Sequence, residues 1–218
     1  MLGCSYSSKD ELLSKYYLRL DLMITDLPEF ILASTSSIRK KILDQAGLRY
    51  QCVKPLIEEP RGNGFTSPEA YVKLCAQQKA KEVSLLHPSQ LVAGCDQTVY
   101  FESKILNKAA NNEECIQRLM SYSGKSHSLV NGLSFFYNGK EVHYHAETIE
   151  VTMRILTLPQ VTKYTLEETP LSSVACYYLE AKGIQLIKNI NGSFFTALGL
   201  PLFALMDFLS EYQKENQK

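Results

Sequence analysis

The sequence predicts an α/β fold: a mixed central sheet with flanking helices. Two observations carry that expectation. Short apolar, β-rich runs alternate along the chain with segments of helical hydrophobic period. One strong hairpin signal, Asn138-Gly139 between His127–Tyr137 and Glu141–Met153, adds an antiparallel pair. At 218 residues, 45% hydrophobic and 21% charged, the chain can form one large domain or two lobes of a soluble globular protein. Lys plus Arg equals Asp plus Glu, 23 each. No global field draws it to nucleic acid or to an anionic membrane, so any anion site must be local.

Taken in order, Ser8 and Glu11 offer a capping box before Leu12, Leu13, Tyr16, Leu20 and Met23, so a helix is expected there. Asp26, Pro28 and Glu29 separate it from the first strand, Phe30 to Ala33. That strand runs into Ser34, Thr35, Ser36 and Ser37. A helix follows, with Ile38, Ile42, Leu43 and Ala46 at helical spacing and Gly47 as its stop. Tyr50 to Val53 reads as a strand, followed by an acidic, turn-rich loop holding Glu58 and Glu59. Ser67-Pro68-Glu69 starts a helix to about Leu86, with Val72, Cys75, Ala76, Lys79, Ala80 and Val83 in one arc. Leu91 to Phe101 is a strand interrupted by Asp96-Gln97. Asn111 and Glu114 open a helix to about Tyr122, and Ser123-Gly124-Lys125 turns into the hairpin. Thr157 to Glu168 reads as a short helix, Gly183 to Ile190 as a strand, and Pro201 to Tyr212 as the closing helix.

Several of these features could carry chemistry. The turn after the first strand leads into a helix N-terminus with Arg39, Lys40 and Lys41, where free N–H groups and cations favour phosphate. An ordinary capped helix is the plainer reading of the same residues. Asp96 in an apolar strand needs a partner, because a buried charge is costly alone; it is either a strand-end acid bonded to a helix or a catalytic group. Together with the Glu58-Glu59 loop it offers the oxygen ligands a hard divalent cation needs. Lys79 either points inward or lays its stem along apolar surface. His143 and His145 share a strand face without an evident third zinc ligand. His127 follows Ser126, but no G-x-S-x-G elbow is present, and neither a Walker loop nor G-x-G-x-x-G occurs. The six cysteines show no metal or redox spacing. With no secretory signal and no apolar run of ~20 residues, reduced thiols in the cytoplasm are expected.

Five segments in register resemble the Maf family of nucleoside triphosphate pyrophosphatases, once called septum formation proteins. They are Leu32-Ala33-Ser34-Thr35-Ser36 with Arg39, Cys95-Asp96-Gln97, Leu106-Asn107-Lys108, Ser123-Gly124-Lys125-Ser126-His127 and Gly199-Leu200-Pro201-Leu202. The resemblance covers about Phe30 to Leu209. It implies a two-lobed mixed α/β fold around a cleft for the nucleotide domain, 30–218; residues 1–29, which it does not cover, are expected to be an accessory extension, set off by Asp26, Pro28 and Glu29. It further implies hydrolysis of a nucleoside triphosphate to monophosphate and pyrophosphate with Mg²⁺ or Mn²⁺. Asp96 matches the catalytic acid, and Glu59 and Asp96 the metal site. Ser34, Ser36, Arg39, Lys79 and Lys108 match phosphate-binding positions. Ile38, Gln97 and Glu180 match the positions associated with base choice. Gln97 and Glu180 are shared with the branch acting on 7-methyl-GTP, but Ile38 stands where that branch has Trp. The Glu180 carboxylate could accept from the N1–H and amine of a guanine, whereas stacking on a methylated, cationic base would be weaker without the Trp. Further departures are Ser37 for Pro, Gln78 for Glu, Asn107 and Ala109 for Gly and Pro, and Ala181 for Gly. The alternative is a non-catalytic nucleotide-binding protein in cell-division control. The triphosphate is the expected partner, with no nucleic acid and no membrane, and the oligomeric state is left open, a homodimer included.

Overall fold

The computed structural model describes residues 27–57, 60, 62–65 and 67–216. The expected helix before the first strand therefore lies outside the described residues, as do Glu58 and Glu59. The chain begins with β1 (Phe30–Ala33), α1 (Ser37–Gln45) and β2 (Tyr50–Val53). A 3₁₀ turn (Gly62–Gly64) leads to α2 (Pro68–Leu86), β3 (Val92–Phe101), β4 (Lys104–Leu106) and α3 (Asn112–Tyr122). The hairpin of β5 (Ser126–Tyr137) and β6 (Lys140–Met153) follows, then α4 (Leu158–Glu168) and a second 3₁₀ turn (Lys182–Leu186). β7 (Ile187–Asn191), α5 (Phe194–Ala197) and α6 (Leu202–Asn216) close the chain.

These strands form one mixed sheet in the order β2-β1-β3-β5-β6-β7, with β4 also on β3. β1 runs parallel to both β2 and β3; the pairs β3–β4, β3–β5, β5–β6 and β6–β7 are antiparallel. Local chemistry sets the elements. Ser67 caps α2 by accepting from the Ala70 N–H at 3.2 Å, with Pro68 in the first turn. Asn138 and Gly139 both have positive φ, 49° and 72°, as a two-residue type I′ hairpin turn requires. The segment expected as one strand from Gly183 to Ile190 divides: Lys182–Leu186 is 3₁₀ and the strand starts at Ile187. A Cβ at Gly183 would lie 2.4 Å from the Tyr178 carbonyl, so the chain is folded back on itself there. β4 and α5, three and four residues long, are too short for a hydrophobic period to repeat.

Helices cover both faces. α1 and α6 pack Ile42, Leu43, Leu205 and Leu209 on Phe30, Leu32, Ala93 and Cys95. Farther along the sheet, α3 and α4 pack Leu119, Tyr122 and Val161 on Val99, Phe101, Leu129 and Ile149. Successive side chains of a strand alternate in face, so Ala93, Cys95, Gln97, Val99 and Phe101 share one side of β3. Gln97 is thus the polar position between two apolar cores. On the other face, α2 lies directly on the backbone of β3 and β5. A Cβ at Gly94 would be 2.3 Å from the Ala76 carbonyl oxygen, and one at Gly132 would be 2.7 Å from that of Val72. Those two glycines set the height of α2 above the sheet.

The sequence's other polar suggestions resolve structurally. Ser126 bonds Thr152 at 2.9 Å on the exposed side, while buried His127 points the other way, so they form no pair. His143 stacks on Phe208 with ring centroids 4.5 Å apart. Among the described residues no group of three or more His, Cys, Asp or Glu is gathered to hold a metal ion. None of the described helices is long and apolar enough to cross a membrane.

Candidate active site

The edge of β3 opens in the middle of the sheet. β1 pairs with β3 as far as Gly94, and β4 takes up the same edge only at Val99. Cys95 to Thr98 therefore border a notch, and a cleft of about 610 Å³ lies over it. Crevices where neighbouring strands part at their carboxyl ends are the usual ligand sites of open α/β sheets. The notch is reached from both faces, Gln97 pointing to one side and Asp96 to the other.

Asp96 follows from the close seating of α2. Lys79 belongs to the buried arc of that helix, and its Nζ meets Asp96 Oδ1 at 2.6 Å. Both residues are 7% exposed. Each offsets part of the desolvation cost of the other, which resolves the charge left inside an apolar strand. The inward reading of Lys79 holds.

Opposite this pair, β1 ends in the hydroxyl-rich turn. Ser34 is buried; its Oγ accepts from the Ser36 N–H at 3.2 Å and from Arg39 Nη1 at 3.3 Å. Ser36 is the N-cap of α1, accepting from the Arg39 N–H at 3.4 Å. The Arg39 guanidinium also donates through Nη1 to the Cys95 carbonyl at 3.1 Å and through Nε to the Gly199 carbonyl at 2.8 Å. Its partners among the described residues are neutral oxygens, which orient its charge without cancelling it. Lys108 is exposed on the cleft rim just after β4, on a turn anchored by Arg118 donating to the Asn107 carbonyl.

Every described residue that the resemblance matched to a site position lines this one cleft: Ser34, Ser36, Ile38, Arg39, Lys79, Asp96, Gln97, Lys108 and Glu180. Glu59 lies outside the described residues. Ile38 both faces the cleft and packs against the α1–α6 core. Gln97 donates through Nε2 to the carbonyls of Thr196 and Ala197, each at 3.1 Å. Sequence reasoning missed the far wall, where Tyr177 lines the cleft and its phenol meets His127 Nε2 at 2.7 Å. Burial draws the His127 pKa down to about 4, so the ring is neutral, and it stacks on Tyr122. The Ser-His dipeptide marked His127, but nothing local marked Tyr177. The Gly199 motif was visible; its carbonyl's use by Arg39 was not.

The cleft thus holds a carboxylate, the cations Arg39, Lys79 and Lys108, and a hydroxyl-rich helix start, which defines an α/β protein suited to bind a polyanion beside an acid. Comparison with known proteins agrees: the profile described as Maf-like protein matches residues 29–212. The chain belongs to the Maf family. It is 34% identical over 191 residues to the 7-methyl-GTP pyrophosphatase of Rhizobium johnstonii, covering 84% of this chain and 96% of that one. The nucleoside triphosphate pyrophosphatase of Rhodopseudomonas palustris is 34% identical, with 83% and 92% covered. The dTTP/UTP pyrophosphatase of Bacillus cereus is 32% identical, with 85% and 96% covered.

Proposed function

We propose that this protein hydrolyses a nucleoside triphosphate to the monophosphate and pyrophosphate, clearing modified nucleotides of the 7-methyl-GTP type in the cytoplasm. One observation carries the reading: the buried Lys79–Asp96 pair sits in the same notch as the oriented Arg39 guanidinium and the N-terminus of α1. The enzyme names of the relatives favour turnover over nucleotide binding alone. On the base side, Gln97 and Glu180 line the cleft and offer acceptors to the N1–H and amine of a guanine.

In this mechanism the triphosphate lies across the turn at Ser34 to Ser36. Arg39, Lys79 and Lys108 take its oxygens in charge-assisted bonds. Asp96 orients a water and accepts its proton as the water attacks the α-phosphorus in line, and the cations hold pyrophosphate as it leaves. A Mg²⁺-type cation asks for one or two carboxylates plus substrate phosphates rather than a protein cage. Asp96, a carboxylate lining the cleft among cations and hydroxyls, fits that demand. Asp96 and Glu59 would hold the ion, which would supply charge neutralisation at the phosphates.

The test is a pyrophosphate-release screen over normal and methylated nucleoside triphosphates. Equal amounts of pyrophosphate and monophosphate are expected, with the methylated guanine nucleotide turned over fastest. Orthophosphate release, or tight binding without turnover in Mn²⁺, overturns the reading. EDTA is expected to abolish turnover and added Mg²⁺ or Mn²⁺ to restore it; undiminished activity in EDTA would remove the cation from the scheme.

A further inference from the structure

We infer that Glu147, which does not line the cleft, is a positioning residue that fixes base discrimination through Thr196 and Gln97; this rests on the pyrophosphatase reading for its substrate class. Gln97, Asn131 and Glu147 stand opposite one another in register across β3, β5 and β6, so they form one polar row on one face of the sheet. That row falls in the gap between the two apolar cores and is capped by the turn around α5. Thr196, fully buried, donates its Oγ1 proton to Glu147 Oε2 at 2.9 Å. The carbonyls of Thr196 and Ala197 both accept from Gln97 Nε2.

Backbone carbonyls can only accept, so these two force the Gln97 amide nitrogen toward the turn. Its Oε1 is left on the side of Gly199, where an added Cβ would lie 3.5 Å from it, and Gly199 itself lines the cleft. The base therefore meets an acceptor at residue 97. Glu147 holds the turn that dictates this orientation. Without it the turn loses its side-chain tie to β6, the amide can rotate, and residue 97 offers donor and acceptor alike.

The experiment measures binding of the α,β-methylene analogues of GTP, 7-methyl-GTP and UTP by calorimetry, with kcat and KM for the triphosphates in parallel. In Glu147→Ala and in Thr196→Val the affinity ratio between the best and worst base should fall about tenfold, the size of one hydrogen bond to a charged group. The loss should appear in KM rather than kcat. The double variant should be no worse than either single one, and Glu147→Gln, whose amide oxygen can still accept from Thr196, should restore the ratio. The nearly isosteric Thr196→Val keeps the test valid if Glu147→Ala folds poorly. An unchanged ratio, an equal loss for all bases, additive single effects, or a wild type that binds all bases alike overturns the inference. A wild type that discriminates in binding but releases no pyrophosphate overturns the pyrophosphatase reading instead, and the binding ratios still judge Glu147.

Discussion

Asp96→Asn is expected to slow pyrophosphate release by ~10²–10⁴-fold, the usual contribution of a positioned general base. The substitution preserves shape and removes the charge. An asparagine oxygen can still accept from the Lys79 ammonium, which now meets Asp96 at 2.6 Å, so the local fold should survive. Triphosphate affinity measured without the divalent cation should hold or rise, because a negative group next to a polyanion has been neutralised. At saturating cation the fall should lie in kcat with KM unchanged, the pattern of an interaction made only in the transition state. Near-normal turnover in this variant would refute the assignment of Asp96.

The second large effect is structural. Gly94→Ala places a methyl 2.3 Å from the Ala76 carbonyl and 2.8 Å from the Ala80 nitrogen, both backbone atoms that no rotamer change can move aside. α2 must lift from β3. Overpacking of this kind costs about 1–3 kcal/mol, or about 2–12 °C in melting temperature for a chain this long. Because Lys79 rides on α2, turnover should fall further than stability explains. Gly64→Ala is the control, since no described residue lies within 4 Å of the added methyl; its melting temperature should match the parent. A Gly94→Ala protein that melts with the parent would show that α2 is not seated on this glycine.

Much of this architecture can be read in the residues themselves. Helical spacing placed Lys79 in the buried arc of α2, and the misfit of an acid inside Leu91–Phe101 drew attention to Asp96. Both signals exist because burial imposes periodicity and because charge is expensive away from water. What escaped is what periodicity does not encode. The notch depends on where β1 stops and β4 starts along β3, and β4 is only Lys104–Leu106. The Arg39–Gly199 bond joins positions 160 apart, and Thr196–Glu147 joins positions 49 apart. Such hydrogen bonds are products of tertiary assembly and leave no local pattern. The acidic loop was conspicuous in composition, but Glu59 falls outside the described residues.

The gap between β1 and β4 has one more consequence, for solubility. Unpaired strand edges are templates on which stray chains can add and begin to aggregate. This one is framed at both ends by native strands and bridged by Arg39 at the Cys95 carbonyl. A foreign peptide would have to displace β1 or β4 to dock there, whereas a small polar molecule fits between them. The protein keeps an open stretch of backbone at its centre without offering it to other polypeptides.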